Sequence, residues 1–264
     1  QSIFNNLIYN NERGLYIAAH RRDHSNVNVF NNTITKNELG VLSGYFNGTF
    51  SNNIIYRNDQ DIEVYAKLDD DPTDEQPFFK NNIIVTGDIN QVNDISNNIF
   101  TEQAVFTNWL DNDFSLKVNS AAINEGFEIS LGPIIASYFN SDILSNNRIN
   151  EGAIDMGAIE SEGSFIHFKD VKENHAFKPG YNYDLNWNTN ISSTQLAYSD
   201  NNGNSWENIA TVNTNEYNWQ LPNQTIDKGL LRIASASNSN IADTIAFSVA
   251  DSTTIPNQTF VFCT

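Results

Sequence analysis

A short motif returns five times in the first hundred residues: an apolar or aromatic residue, an Asn pair, then residues with high β-propensity. It reads IFNNLIY at Ile3–Tyr9, VFNNTIT at Val29–Thr35, FSNNIIY at Phe50–Tyr56, FKNNIIV at Phe79–Val85 and ISNNIFT at Ile95–Thr101. The pairs Asn5–Asn6, Asn31–Asn32, Asn52–Asn53, Asn81–Asn82 and Asn97–Asn98 are spaced by 26, 21, 29 and 16 residues. A unit recurring at about 20–30 residues is the signature of a solenoid, in which each turn buries its apolar face only against its neighbours.

In the first three turns a second strand-like stretch begins eight residues after the second Asn, at Gly14, Gly40 and Asp61. A constant offset predicts that these stretches stack in register. Leu15, Val41 and Ile62 then align, as do Ile17, Ser43 and Val64, and the two-residue alternation of a strand turns them inward. Tyr16, Leu42 and Glu63 fall on the outward side. Short strands joined by Asn-rich bends predict a right-handed, single-stranded parallel β-helix. Asn tolerates the left-handed backbone of a sharp corner, and its amide can bond the equivalent amide one turn away. All ten paired Asn residues are therefore assigned to a structural ladder.

Composition agrees with an all-β chain: Phe occurs 17 times and Tyr 10 times, while Met and Cys occur once each. The formal charge of −18 and pI near 4.3 argue against nucleic acid held on a broad basic face. Such charge suits an extracellular protein, or one that gathers Ca²⁺ on oxygen ligands. Cys263 has no partner for an intrachain disulfide, and no apolar run reaches the ~20 residues of a membrane span. Because Gln1 already lies within a repeat, the chain is expected to be a segment of a longer one.

From Thr101 the repeat fades, and two phrases follow: DNDFSLKVNSAAINEG at Asp111–Gly126 and INEGAIDMGAIE at Ile149–Glu160. The pair resembles the closing segment of secreted bacterial β-helix proteins of the pectate-lyase-like superfamily. Asp113, Phe114, Leu116, Ser120, Ala122, Ile123, Asn124 and Gly126 match the first half, and Asp155, Met156, Gly157, Ala158, Ile159 and Glu160 the second. Ala121 stands where proline is usual. The phrase is shared by lyases, hydrolases and proteins of other roles, so it speaks for architecture more than for activity.

After SEGS at Ser161–Ser164 the pattern changes to short alternating strands: SFIHF, YNYDLNW, TQLAYS, WENIA, YNWQL, GLLRIAS and TIAFSVA. Seven strands in this spacing predict an immunoglobulin-like or fibronectin-III-like β-sandwich. The spacing of Gly180, Tyr183, Leu185 and Trp187, then Tyr198, Gly203 and Trp206, then Tyr217, Trp219 and Pro222 resembles Ig-like modules of secreted bacterial enzymes and adhesins. The hairpin at Ser199–Trp206 is similar to an Asp-box turn, with Asn201 at the usual Asp position. The expected division is 1–162 for the β-helix turns and their closing segment, 163–250 for the sandwich, and 251–264 for a linker.

Insertions in a solenoid emerge as loops, often on a binding face. Two interrupt this one: HRRDHSN at His20–Asn26 and KLDDDPTDEQP at Lys67–Pro77. In polysaccharide lyases of this fold the sugar chain lies along one stacked sheet. A Lys, Arg, His or Tyr takes the proton at C5, while Ca²⁺ or another cation neutralises the uronate. The resemblance therefore implies His20, Lys67, Arg21, Arg22 and His24 as catalytic candidates: His for proton transfer, Arg for clamping a carboxylate. Tyr16, Phe46, Glu63 and Tyr65 become candidates for contact with sugar. Asp69, Asp70, Asp71, Asp74 and Glu75 form an acidic run suited to Ca²⁺, though not at EF-hand spacing.

The function expected is binding, and lyase-type cleavage, of an acidic polysaccharide by a monomeric, secreted or bacterial surface protein. If the chain is an enzyme, a lyase is favoured over a glycoside hydrolase, because no set of Asp residues recurs on adjacent outward positions. The alternative is a non-enzymatic adhesin in which the β-helix is a stalk and the sandwich a spacer.

Overall fold

A computed structural model describes residues 1–17, 26–44, 47–64, 77–85, 87–88, 94–129, 136, 138–149 and 153–250. The chain divides into two compact units, Gln1–Glu162 and Gly163–Thr264.

The first unit is a parallel β-helix whose turns each supply up to three short strands. The first turn holds β1 (Ser2–Phe4), β2 (Leu7–Tyr9) and β3 (Arg13–Ile17), and the second β4 (Asn26–Phe30), β5 (Thr33–Thr35) and β6 (Leu39–Ser43). The third holds β7 (Asn47–Ser51), β8 (Ile54–Tyr56) and β9 (Gln60–Val64), and the fourth β10 (Phe78–Lys80), β11 (Ile83–Ile84) and β12 (Gly87–Asp88). The fifth contributes β13 (Asp94–Ser96) and β14 (Ile99–Phe100). Equivalent strands stack into three parallel sheets, β1-β4-β7-β10-β13, β2-β5-β8-β11-β14 and β3-β6-β9-β12.

The register is the one set by the eight-residue offset. Leu15 pairs with Val41 and Val41 with Ile62, while Ile17 pairs with Ser43 and Ser43 with Val64. These inward residues are buried, apart from half-buried Leu15 in the first turn, and all but Ser43 join Val29, Ile34, Phe50, Ile55, Phe79 and Ile84 in one core. Phe50 and Phe79, one turn apart, stack with centroids at 4.4 Å, which adds an aromatic term to the area each ring removes from water. Leu42 departs from the outward expectation: it is only 3% exposed, flanked in register by Tyr16 and Glu63. A central rung on a stacked face is shielded from both sides.

Beyond β14 the chain leaves the spiral and forms an antiparallel hairpin, β15 (Phe106–Asn108) with β16 (Asp113–Leu116).

The second unit is a β-sandwich. Its eight strands are β17 (Ile166–Phe168), β18 (His175–Phe177), β19 (Asn182–Thr189), β20 (Thr194–Ser199), β21 (Glu207–Val212), β22 (Glu216–Gln220), β23 (Ile226–Ser235) and β24 (Ala242–Val249). They form two sheets, β17-β19-β22 and β18-β24-β23-β20-β21. Leu185, Trp187, Leu196, Trp219, Leu231, Ile233, Ile245 and Phe247 fill the space between them. The strand that the alternation did not predict is β18, three residues long and paired parallel to β24. Ser199 and Asn201 hold the hairpin turn: Gly203 N–H donates to Ser199 Oγ at 2.8 Å and Ser205 N–H to Asn201 Oδ1 at 3.0 Å. The Asp-box resemblance is thus accounted for as a turn.

Candidate functional site

The two members of each Asn pair do different work. The first, at Asn5, Asn31, Asn52, Asn81 and Asn97, takes the left-handed backbone, with φ between 50° and 56°. The second faces inward and carries the ladder. Nδ2 of Asn6 donates to Oδ1 of Asn32 at 2.8 Å, Asn32 to Asn53 at 3.0 Å, Asn53 to Asn82 at 2.9 Å and Asn82 to Asn98 at 2.8 Å. The backbone N–H of each donor residue bonds the same oxygen. Buried donors and acceptors at the corner are thereby satisfied without water.

A second ladder runs at the next corner, between the β2-β5-β8 and β3-β6-β9 sheets. Asn10, Lys36 and Arg57 take the left-handed backbone there. Asn11 donates to Asn37 at 3.1 Å and Asn37 to Asn58 at 2.9 Å. Glycine at 14 and 40 is required beside it, since a Cβ at Gly40 would stand 2.6 Å from Asn58 Nδ2 and one at Gly14 2.9 Å from Asn37 Nδ2. The sequence signal was present: Asn11, Asn37 and Asn58 each follow the second Asn of a pair by five residues. It is muted because the residue before each varies.

One flank of the β-helix is covered by its own chain. Trp109, in the β15–β16 turn, donates to Thr35 Oγ1 at 2.8 Å and is flanked by Lys36 Nζ at 4.9 Å and the Arg57 guanidinium at 5.7 Å from its ring centre. Phe106 packs edge-on against Tyr56, and Phe114 against Tyr9. Further along, the first Asn of each of three pairs holds the closing segment. Asn5 donates to Ser141 O, Asn31 to Asp155 O at 2.8 Å and Asn52 to Phe127 O at 2.8 Å. Gly157, at φ 93°, lies so close that a Cβ would stand 2.6 Å from Ile54 Cδ1 and 2.8 Å from Thr33 Oγ1. The D-M-G-A-I-E phrase is therefore a strap along the first three turns.

Its charges are structural too. Arg148, 1% exposed, bonds Glu160 at 2.7 Å and also reaches Asn5 Oδ1. Asp155 accepts from the backbone of Asn124 and Ser161 at 2.7 and 2.6 Å, and Asp142 from Leu144, Asn146 and Glu160 at 2.8–2.9 Å. Burial raises the Glu160 carboxyl to about 8 and the Asp155 carboxyl to about 6, each outweighing the pull of Arg148.

The β3-β6-β9 face differs from this flank. Tyr16 on β3 is 53% exposed and Glu63 on β9 is half-buried. They lie two strands apart, about 10 Å at ordinary strand spacing. This places an aromatic ring and a carboxylate on one face, able to stack on a sugar ring and to accept its hydroxyl hydrogens. The remaining candidates, His20, Arg21, Arg22, His24, Phe46, Tyr65, Lys67, Asp69, Asp70, Asp71, Asp74 and Glu75, lie outside the described residues. The segments that carry them leave from the C-terminal ends of β3, β6 and β9, which point the same way. Among the described residues no three His, Cys, Asp or Glu side chains are grouped to hold a metal ion.

The sequence matches no protein-family model, and no curated protein matches it either.

Proposed function

We propose that the β-helix binds an acidic polysaccharide along its β3-β6-β9 face and, in the complete protein, cleaves it by β-elimination. The observation that carries this reading is the asymmetry of the spiral. The β2-β5-β8 flank is strapped through Trp109, Phe127, Asp155 and Gly157, whereas the β3-β6-β9 face presents Tyr16 and Glu63 beside the exits of the two inserted segments. A stacked face of this kind offers sugar-ring contacts at a regular spacing, as a polymer requires.

In this reading Tyr16, Phe46 and Tyr65 stack on sugar rings, and His20 or Lys67 takes the C5 proton. The C4–O bond then breaks, a C4–C5 double bond forms, and the leaving hydroxyl is protonated. Arg21 or Arg22, or Ca²⁺ on the run from Asp69 to Glu75, balances the uronate charge. The closing phrases support membership of the pectate-lyase-like superfamily, and with it secretion or display on a bacterial surface. The sheet orders β17-β19-β22 and β24-β23-β20-β21 support an Ig-like or fibronectin-III-like module.

The test is ultraviolet absorbance of the unsaturated product after incubation with polygalacturonate, alginate and related polymers, with and without Ca²⁺. Product that disappears in His20→Ala and Lys67→Ala supports the assignment. Retardation in a polymer gel without product leaves a binding protein of the stalk type. Neither product nor retardation across the panel overturns the reading.

A further inference from the structure

We infer that the sandwich carries a separate subsite for a single carboxylated sugar ring, formed by Trp206 and Arg232 on the outer face of β20, β21 and β23. A hollow of about 190 Å³ opens there, lined by Gln195, Ala197, Trp206, Asn208, Arg232 and Ala234, with Ser239 at its rim. The pairing of Ala197 with both Arg232 and Asn208, and of Gln195 with Ala234, puts small side chains between long polar ones. The alanines leave the depression, and its size suits one pyranose.

The lining has a definite chemistry. Trp206 is 37% exposed, unusual for an indole that could have been buried. Arg232 donates to Ser239 O at 2.6 Å, and among the described residues it has no carboxylate partner in a chain with 32 acidic and 14 basic side chains. Its guanidinium lies 5.8 Å from the Trp206 ring centre, near the outer limit of a cation–π contact. Among the described residues no Asp or Glu lines the hollow. Gln195 and Asn208 are pre-positioned by their mutual bond at 3.0 Å. An indole for the apolar face of a ring, amides for hydroxyls and a guanidinium fork for a carboxylate together specify a uronate.

The ligand class agrees with the function proposed for the β-helix, but the site is independent of it. Calorimetric titration of the full chain with trigalacturonate and with neutral xylotriose tests it. Trigalacturonate should bind and xylotriose should not. Arg232→Gln and Trp206→Ala should each weaken binding at least tenfold, with Arg232→Lys between them and the parent. Should either variant fail to fold, the indole N–H resonance of Trp206 in the unaltered chain should shift on adding trigalacturonate. No binding, equal binding by the variants, or an unmoved Trp206 resonance overturns the subsite. Loss in Tyr16→Ala alone would leave the β-helix reading standing and remove this one.

Discussion

The side-chain amide of Asn58 donates to the carboxylate of Asp61 at 2.8 Å, and there the second ladder stops. Asp61 occupies the register position held by Gly14 and Gly40 in the preceding turns. Its Oδ1 also accepts the Asn58 backbone N–H at 2.9 Å, and its Oδ2 accepts that of Val85, in the next turn, at 2.9 Å. One fully buried carboxylate thus closes the hydrogen bonding where the fourth turn offers no Asn.

Replacing Asp61 with Ala leaves three donors without that acceptor, two on buried Asn58 and one on half-buried Val85. The expected loss is about 3 kcal/mol or more, since each orphaned buried group costs about 1–3 kcal/mol. Urea unfolding of Asp61→Ala against the parent measures it, and a change under 1 kcal/mol contradicts the role.

Position within the ladder should grade the cost. Asn53 is fully buried and bonded to Asn32, Asn82 and Val29 O, so Asn53→Ala should cost several-fold more than Asn6→Ala at the exposed first rung, where about 1 kcal/mol is expected. Equal midpoints for the two variants would show that the rungs do not act by burial.

The two tasks of Asn52 can be separated. Asn52→Gly keeps the left-handed corner at φ 54° and loses only the side-chain bonds to Phe127 and to Asn31 Oδ1. Asn52→Ala loses those bonds and adds about 1–2 kcal/mol for an L side chain in that conformation. Thermal unfolding should therefore rank parent, then Gly, then Ala.

Gly157→Ala should loosen the strap. A methyl there meets Ile54 and Thr33 within 3 Å on a backbone already at positive φ, so a loss of about 2–4 kcal/mol is expected. Faster hydrogen exchange at Ala158, whose N–H donates to Thr33 Oγ1 at 3.0 Å, would report the release locally.

The buried carboxyls predict an inverted pH dependence. Folding raises Glu160 from 4.5 to about 8 and Asp155 from 3.8 to about 6. Between these limits the folded chain holds protons that the unfolded chain has lost, so the Asp155 contribution weakens as pH rises from 3.8 to about 6 and the Glu160 contribution from 4.5 to about 8. Glu160→Gln retains a polar group beside Arg148 and removes the charge, so it should flatten this slope. An unchanged slope in Glu160→Gln denuration curves would place the proton elsewhere.

Much of the spiral was legible because its cause is periodic. An Asn at a corner solves the same backbone problem in every turn, so the pairs recur and their offset carries the register from Leu15 to Ile62. The second ladder hid behind Asn10, Lys36 and Arg57, three residue types placed in one backbone conformation by their surroundings. The strap was visible as a phrase, yet its place along the first three turns depends on contacts between Asn31 and Asp155, 124 residues apart, which no local pattern encodes. Of the candidate site, the rungs at Tyr16 and Glu63 followed from alternation. The insertions have no period, so residue chemistry alone suggested their roles. Trp206 and Arg232 were passed over because a turn signal explained the neighbouring residues without them.

The most direct test is affinity electrophoresis through gels containing polygalacturonate. In a Trp206→Ala background, which removes the sandwich subsite, Tyr16→Ala combined with Glu63→Gln should abolish the retardation of the chain, while Leu110→Ser, an exposed change on the strapped flank, should leave it intact. Equal retardation of both variants would contradict binding along the β3-β6-β9 face.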